Sequence, residues 1–221
     1  MRLVLAMIAR NEGGEDRYLN RVLTTMRPWV DEVCFLDDGS TDDTVAIAQN
    51  HGCQIRHRDA EPMWGNESAA RQELWEWAAE VAGDGWVLFG DADMELTADP
   101  RPLTESLYLN TWCFRLYDMW SDHQYRTDGM WKGHTAARPW MVRPNAVPEG
   151  WEARWNPRGL HCGHLPENWP MASGEAPREM AWLHWSYATP DHRQKKYDQY
   201  LSRRDVLTPS ELEHAESILD G

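Results

Sequence analysis

Between Arg2 and Asp93 the sequence sets out short apolar runs of strand length, each followed by a polar cluster, with helical spacing in between. The runs are Arg2 to Ala9, Glu32 to Leu36, Cys53 to His57 and Trp86 to Gly90. Glu15 to Met26 puts Tyr18, Leu19, Val22, Leu23 and Met26 on one helical face. Ser40 or Thr41 can cap a second helix running to about Asn50, with Gly52 suited to the left-handed position after it. Glu67 to Ala82 reads as a third helix, with Ala69, Leu74, Trp77, Ala78 and Val81 inward. Short buried strands alternating with helices specify an α/β fold with a mainly parallel, Rossmann-like sheet covered on both faces. In such sheets ligands bind outside the carboxyl ends of the strands. The polar clusters fall at those ends: Arg10-Asn11-Glu12, Asp37-Asp38-Gly39-Ser40 and Asp91-Ala92-Asp93.

The second half is written differently. Thr104 to Asn110 suggests a short helix, and Trp112 to Tyr117 and Pro139 to Val142 suggest strands. Residues 118–190 are rich in Trp, His, Pro and Gly with little period, as expected of functional loops. Asp191 to Arg204 reads as a helix, and Thr208-Pro209-Ser210-Glu211 is a capping box that starts another. The 221 residues are expected to form one domain, with a ligand-binding half at 1–97 and a loop-rich half at 98–221.

Charge follows the same division. Residues 1–111 hold 9 Lys and Arg against 21 Asp and Glu, whereas residues 112–221 hold 13 against 15. An acidic chain is a poor non-specific nucleic-acid binder, although the second half alone is less prohibitive. The apolar run Leu3 to Ala9 stops at Arg10, too short for a membrane span, so a cytoplasmic protein is expected. Cys34, Cys53, Cys113 and Cys162 form no C-x-x-C pair and read as reduced thiols.

Neither G-x-G-x-x-G nor G-x-x-x-x-G-K-[ST] occurs, which disfavours a dinucleotide oxidoreductase or a P-loop enzyme. Asp91 and Asp93 lie two apart after an apolar strand, on one side of an extended chain. Paired hard carboxylates suit Mg²⁺ or Mn²⁺ that also holds phosphate oxygens. An aspartate at the end of the second strand, Asp37 or Asp38, can accept a base N–H or a ribose hydroxyl.

Four blocks together resemble family 2 glycosyltransferases: Ala9-Arg10-Asn11-Glu12, Val33 to Thr44, Asn66 to Arg71 and Trp86 to Asp93. The segment His184-Trp185-Ser186-Tyr187, followed by Lys196-Tyr197 and Tyr200, is similar to the end of some members. The resemblance implies an A-type glycosyltransferase fold, a nucleoside diphosphate sugar donor (UDP-sugar favoured) and Mn²⁺ or Mg²⁺. It implies that Ala9, Arg10, Asn11, Glu12, Asp37 and Asp38 line the nucleoside pocket, and that Arg71 lies near the base or diphosphate. It also implies that Asp91 and Ala92 reach the ribose or sugar, that Asp93 ligates the metal in a catalytic D-x-D, and that His184 supplies a further ligand.

The catalytic base is where the chain departs from the family. Neither Glu-Asp nor His-Glu occurs at the expected place in the second half. Asp118, Asp122, Asp128, Glu149, Glu167, His161 and His164 are open as alternatives, with Asp122 and His161 taken as the catalytic candidates. Inversion at the anomeric carbon is implied by the family alone. The Trp residues at 120, 131, 140, 151, 155 and 169 are either core or stacking platforms for sugars or bases. A saccharide or glycoconjugate is the favoured acceptor. A modified base in DNA is the alternative, given Arg193, Lys195, Lys196, Arg203 and Arg204. A nucleotide-sugar-binding protein without turnover is the rival of a different class.

Overall fold

The computed structural model describes residues 1–59, 63, 66–156, 162–205 and 207–220. The first four strands are β1 (Leu3–Ala9), β2 (Glu32–Asp37), β3 (Gln54–His57) and β4 (Trp86–Phe89). Between them lie α1 (Leu19–Met26), α2 (Thr44–Asn50) and α3 (Glu67–Ala82). Then follow β5 (Met94–Leu96), β6 (Thr111–Phe114), β7 (Leu116–Asp118), β8 (Arg138–Val142), β9 (Ser173–Glu175) and β10 (Trp182–His184). Two helices, α4 (Pro190–Leu201) and α5 (Pro209–Ser217), end the chain.

The main sheet has the order β3-β2-β1-β4-β8-β6-β9. Among the described strands of this sheet only β8 runs antiparallel to its neighbours. The expected mainly parallel α/β sheet is therefore present. A smaller sheet, β5-β10-β7, lies beside it, with β10 antiparallel to β5 and parallel to β7.

Strand β1 shows how the sequence builds both faces. Leu3, Leu5 and Met7 enter one apolar cluster with Leu19, Val22, Leu23 and Met26 of α1. Val4, Ala6 and Ile8 enter the other, with Ala70, Leu74, Trp75, Trp77 and Ala78 of α3. All seven residues of β1 are buried, which is why the run is continuously apolar rather than alternating. Each such Leu, Val or Ile contributes about 1.5–3 kcal/mol on burial.

Several local expectations are corrected. Helix α1 starts at Leu19 rather than Glu15, and α2 starts at Thr44 with neither Ser40 nor Thr41 as its cap. Those two hydroxyl residues instead bond the loop after β1. Helix α3 has the expected limits because the Asn66 side chain accepts the Ala69 amide at 3.2 Å. Of its expected inner face Leu74, Trp77 and Ala78 are buried, whereas Ala69 is exposed and Val81 half-buried; Ala70, Arg71 and Trp75 also point inward. Residues 104–110 do not form an α-helix; a 3₁₀ turn at Arg101–Glu105 takes that place. The run Trp112 to Tyr117 is split into β6 and β7, which belong to different sheets. Strands β5, β9 and β10, of three residues each, are too short for periodicity to reveal.

Trp131, Trp140 and Trp169 are buried, which settles them as core rather than platforms. Trp120, Trp151 and Trp155 are half-buried and pack edge-on against Trp131, Trp169 and Trp75 respectively. The capping box at Thr208 is formed. The four cysteines are free. Among the described residues no helix is long and apolar enough to cross a membrane.

Candidate active site

At the carboxyl ends of β1 and β4 lies a cleft of about 530 Å³. Its floor begins with the chain leaving β1. Asn11 has a left-handed backbone, φ 56°, a conformation that Asn tolerates better than most residues. Its side-chain oxygen accepts the Thr41 amide at 2.8 Å, and its own amide donates to Ser40 Oγ at 3.0 Å. Glu12 N donates to Thr44 Oγ1 at 2.7 Å, and Gly13 N to Asp42 Oδ2 at 2.9 Å. Gly13 sits so close to the Asp43–Thr44 backbone that a Cβ would overlap it. Arg10 donates to the Asp38 carbonyl at 3.0 Å.

The cleft gathers Ala9, Arg10, Asn11, Glu12, Arg71, Asp91, Ala92, Asp93 and His184, nine of the residues expected at the site. Asp91 and Asp93 arrive on a tight turn, with Met94 N bonded to Asp91 O at 3.1 Å, not on the extended chain expected. Arg71, 5% exposed, reaches from α3 between Glu67 and Asp91, 3.2 Å from each. His164 lies with Nε2 3.2 Å from both Asp91 oxygens. Burial works against the Asp91 carboxylate, but His164 and Arg71 outweigh it and hold Asp91 below the usual carboxylate range.

On the other side of the turn, Ser186 Oγ donates to Asp93, and His184 Nε2 lies 3.6 Å from it. His184 Nδ1 lies 2.8 Å from Asp118 Oδ1. Burial disfavours the charged ring, but Asp93 and Asp118 overcome this and raise His184 to about 10. Burial likewise opposes ionisation of Asp93, and the His184 charge lowers its carboxyl to about 2. Glu12 is pushed up to about 7, first by burial and then by Asp93, against the nearby Arg17 and Lys196.

Among the described residues no three His, Cys, Asp or Glu side chains converge as a metal cage. Asp93 and His184 nonetheless fit a divalent ion in donor chemistry. A hard carboxylate and a histidine are paired, the far ring nitrogen of His184 is fixed by Asp118, and the ring would give up its Nε2 proton on binding the ion. Ions of this class complete their shell with phosphate oxygens and water.

Other expected residues lie elsewhere. Asp37 and Asp38 are buried and are not among the residues lining the cleft. Asp37 Oδ1 accepts the Ser40 amide at 3.1 Å and Oδ2 faces His57 Nδ1 at 3.0 Å. Asp38 pairs with buried Arg58 and accepts the Met63 amide at 2.8 Å. Asp122 is exposed and does not line the cleft; Asp118, at the end of β7, does not line it either but reaches it through His184. His161 lies outside the described residues.

Sequence reasoning missed the parts played by Glu67 and Ser186, and offered Asp118 as a base rather than as the partner of His184. The first lies beside Arg71 in the Asn66–Arg71 block, and Ser186 lies two residues after His184, so both carried a positional signal. The basic run of α4 does not form one face. Arg193 bonds the Trp120 and Tyr187 carbonyls, Lys195 pairs with Asp16, and Lys196 lines the cleft.

The chain is similar to several known proteins. A TPR repeat-containing protein of Synechococcus elongatus is 41% identical over 93 residues, covering 42% of this chain and 20% of the relative. The chain therefore spans about a fifth of that protein. A solved structure of glucosyl-3-phosphoglycerate synthase from Mycobacterium tuberculosis, in complex with Mn²⁺ and UDP-glucose, is 23% identical with a TM-score of 0.38, over 53% of this chain and 43% of that one. S. aureus TarS in complex with UDP is 18% identical with a TM-score of 0.46, over 65% and 47%. Residues 5–104, the stretch that carries β1 to β4 and the Asp91–Asp93 turn, match the model of glycosyl transferase family 2.

Proposed function

We propose that the protein transfers a sugar from a nucleoside diphosphate sugar to an acceptor hydroxyl, with Mn²⁺ or Mg²⁺ held by Asp93 and His184. The observation that supports this reading is the meeting of the Arg10–Glu12 loop, Arg71, the Asp91–Asp93 turn and His184 around one cleft. A UDP-sugar is the donor we favour, and a saccharide or glycoconjugate the acceptor.

Breaking the bond between a sugar and a diphosphate leaves negative charge on the departing oxygens. A bound divalent ion would act as a Lewis acid toward that charge. The chain's own residues position the donor. Arg71 is locked by Glu67 and Asp91, so the Asp91 carboxylate is presented in one orientation to a ribose or sugar hydroxyl. Asp118 orients His184 and thereby fixes the edge turned toward Asp93. Lys196 lines the same cleft and adds positive charge near Asp93 and Glu12. In this reading residues 1–97 with His184 bind donor and metal, and residues 112–185 choose the acceptor.

Nucleotide sugars should be screened for hydrolysis and transfer with Mn²⁺ present. Turnover separates an enzyme from a binding protein, and the preferred donor fixes half the reaction. Binding of a nucleotide sugar with no hydrolysis or transfer would refute the enzyme in favour of the binding protein.

A further inference from the structure

The cleft is lined by three described histidines, and two of them are committed at both ring nitrogens. His184 faces Asp118 and Asp93. His192 faces the Tyr18 hydroxyl at 3.3 Å and the Asp16 carbonyl at 2.5 Å. His164 is different. Its Nε2 is bonded to both oxygens of Asp91, and among the described residues its Nδ1 has no partner.

We propose that His164 is the general base of the transfer, oriented by Asp91 and accepting the proton of the acceptor hydroxyl at Nδ1. This rests on the glycosyltransferase reading above. The reasoning is that of any Asp–His pair in catalysis. A carboxylate that only accepts hydrogen bonds requires the proton of the neutral ring to sit on Nε2, and the lone pair is then left on Nδ1. The ring is also held in place, packed on Trp140 of β8 with centroids 4.3 Å apart and its side chain 15% exposed to the cleft.

The surroundings keep the ring neutral. Burial and the Arg71 charge lower His164 below its usual value, against Asp91 and Glu67, which raise it. Arg71 and Glu67 come from α3, Asp91 follows β4, and Trp140 brings no charge. A ring that is unprotonated at neutral pH and beside the donor turn is what a base needs.

The step balances without a further reactant. The acceptor O–H gives its proton to Nδ1, and its oxygen forms a bond to the anomeric carbon. The bond from that carbon to the diphosphate oxygen breaks, and its electron pair leaves with the nucleoside diphosphate. The imidazolium that results is stabilised by Asp91.

The test uses water as the acceptor, since it too must lose a proton. The 221-residue protein is given Mn²⁺ and, in turn, UDP-glucose, UDP-galactose, UDP-N-acetylglucosamine, dTDP-glucose, GDP-mannose and ADP-glucose. His164→Gln keeps an N–H for Asp91 but has no base, and should slow hydrolysis about 10²–10⁴-fold, the usual worth of general-base catalysis. UDP affinity, measured by calorimetry with Mn²⁺, should be unchanged in it. In His164→Ala, added imidazole should restore part of the rate, rising with pH as free imidazole deprotonates. Full hydrolysis by His164→Gln, a loss of UDP affinity that matches the loss of rate, or failure of imidazole to restore His164→Ala would each overturn the assignment. No turnover of any donor by the unaltered protein would overturn the transferase reading, and this assignment with it.

Discussion

Asp118 lies 2.8 Å from Nδ1 of His184, while Nε2 of the same ring lies 3.6 Å from Asp93. One imidazole thus links the second half of the chain to the acidic turn of the first. Asp118→Ala should weaken binding of UDP with Mn²⁺ by about 10–100-fold, the usual cost of removing the carboxylate behind a metal-binding histidine. Asp118→Asn should retain more, because its side-chain oxygen can still accept the Nδ1–H. Calorimetry with UDP and Mn²⁺ together reads the effect, and equal affinities in Asp118→Ala and the unaltered protein would show that Asp118 does not serve His184 in this way.

Asp93→Asn should abolish the metal dependence of UDP binding while leaving the unfolding transition near its original midpoint. His184→Ala should weaken the same binding less. Titration in the presence of EDTA and then of excess Mn²⁺ separates the two states. A variant at Asp93 that still gains affinity on adding Mn²⁺ would place the ion elsewhere.

Asp38 is tied to Arg58, both almost wholly buried, and to the Met63 amide. Asp38→Ala should therefore act first on stability. Breaking a buried pair costs about 3–5 kcal/mol, and Glu73, 3.2 Å from the Arg58 guanidinium, should hold the loss to the lower end. Urea unfolding measures this. A donor affinity that falls while stability stays constant would return Asp38 to the nucleoside pocket.

Gly13→Ala should destabilise the protein by about 1–3 kcal/mol, as for other overpacked positions, because the new methyl meets the Asp43–Thr44 backbone. The same variant should bind UDP more weakly, since Glu12 and Asn11 shift with it. Thermal unfolding and calorimetry on one sample test both, and a variant as stable as the original would show that the two loops have room to part.

Asp31 accepts the Leu3 amide at 2.8 Å and pairs with Arg101. Burial opposes its ionisation, but the Leu3 amide and Arg101 prevail and lower its carboxyl below the usual range. A lowered folded value means that the stabilisation is full above the unfolded value, near pH 4, and is lost as pH falls through the folded one. Asp31→Asn should therefore show less loss of stability between about pH 4 and pH 2 than the original chain. Identical acid unfolding of the two proteins would contradict this.

The first half was legible because its signals are local. Leu3 to Ala9 had to be buried on both faces, and the helical spacing of Leu74, Trp77 and Ala78 marked α3. The D-x-D turn followed an apolar strand, so its place at a carboxyl end could be read directly. The second half was less legible because its contacts are distant in sequence. Asp118 meets His184 only where β7 and β10 pair, His164 meets Asp91 across 73 residues of sequence, and three-residue strands leave no periodic trace. The partners of the aspartates at the end of β2 were hidden for a related reason. Position alone suggested a ligand, but Arg58 and His57, from β3 and just beyond it, had already engaged them.

The bonds from Asn11, Glu12 and Gly13 to residues 40–44 join the loops after β1 and β2 into one body. Whatever widens or narrows the cleft must therefore come from the opposite wall. There Asp16 is the shared anchor: its carbonyl receives His192 and its carboxylate receives Lys195, both from the first turns of α4. The cleft is thus a bench vice, with one jaw fixed by backbone bonding and the other fastened to it at Asp16 and Tyr18.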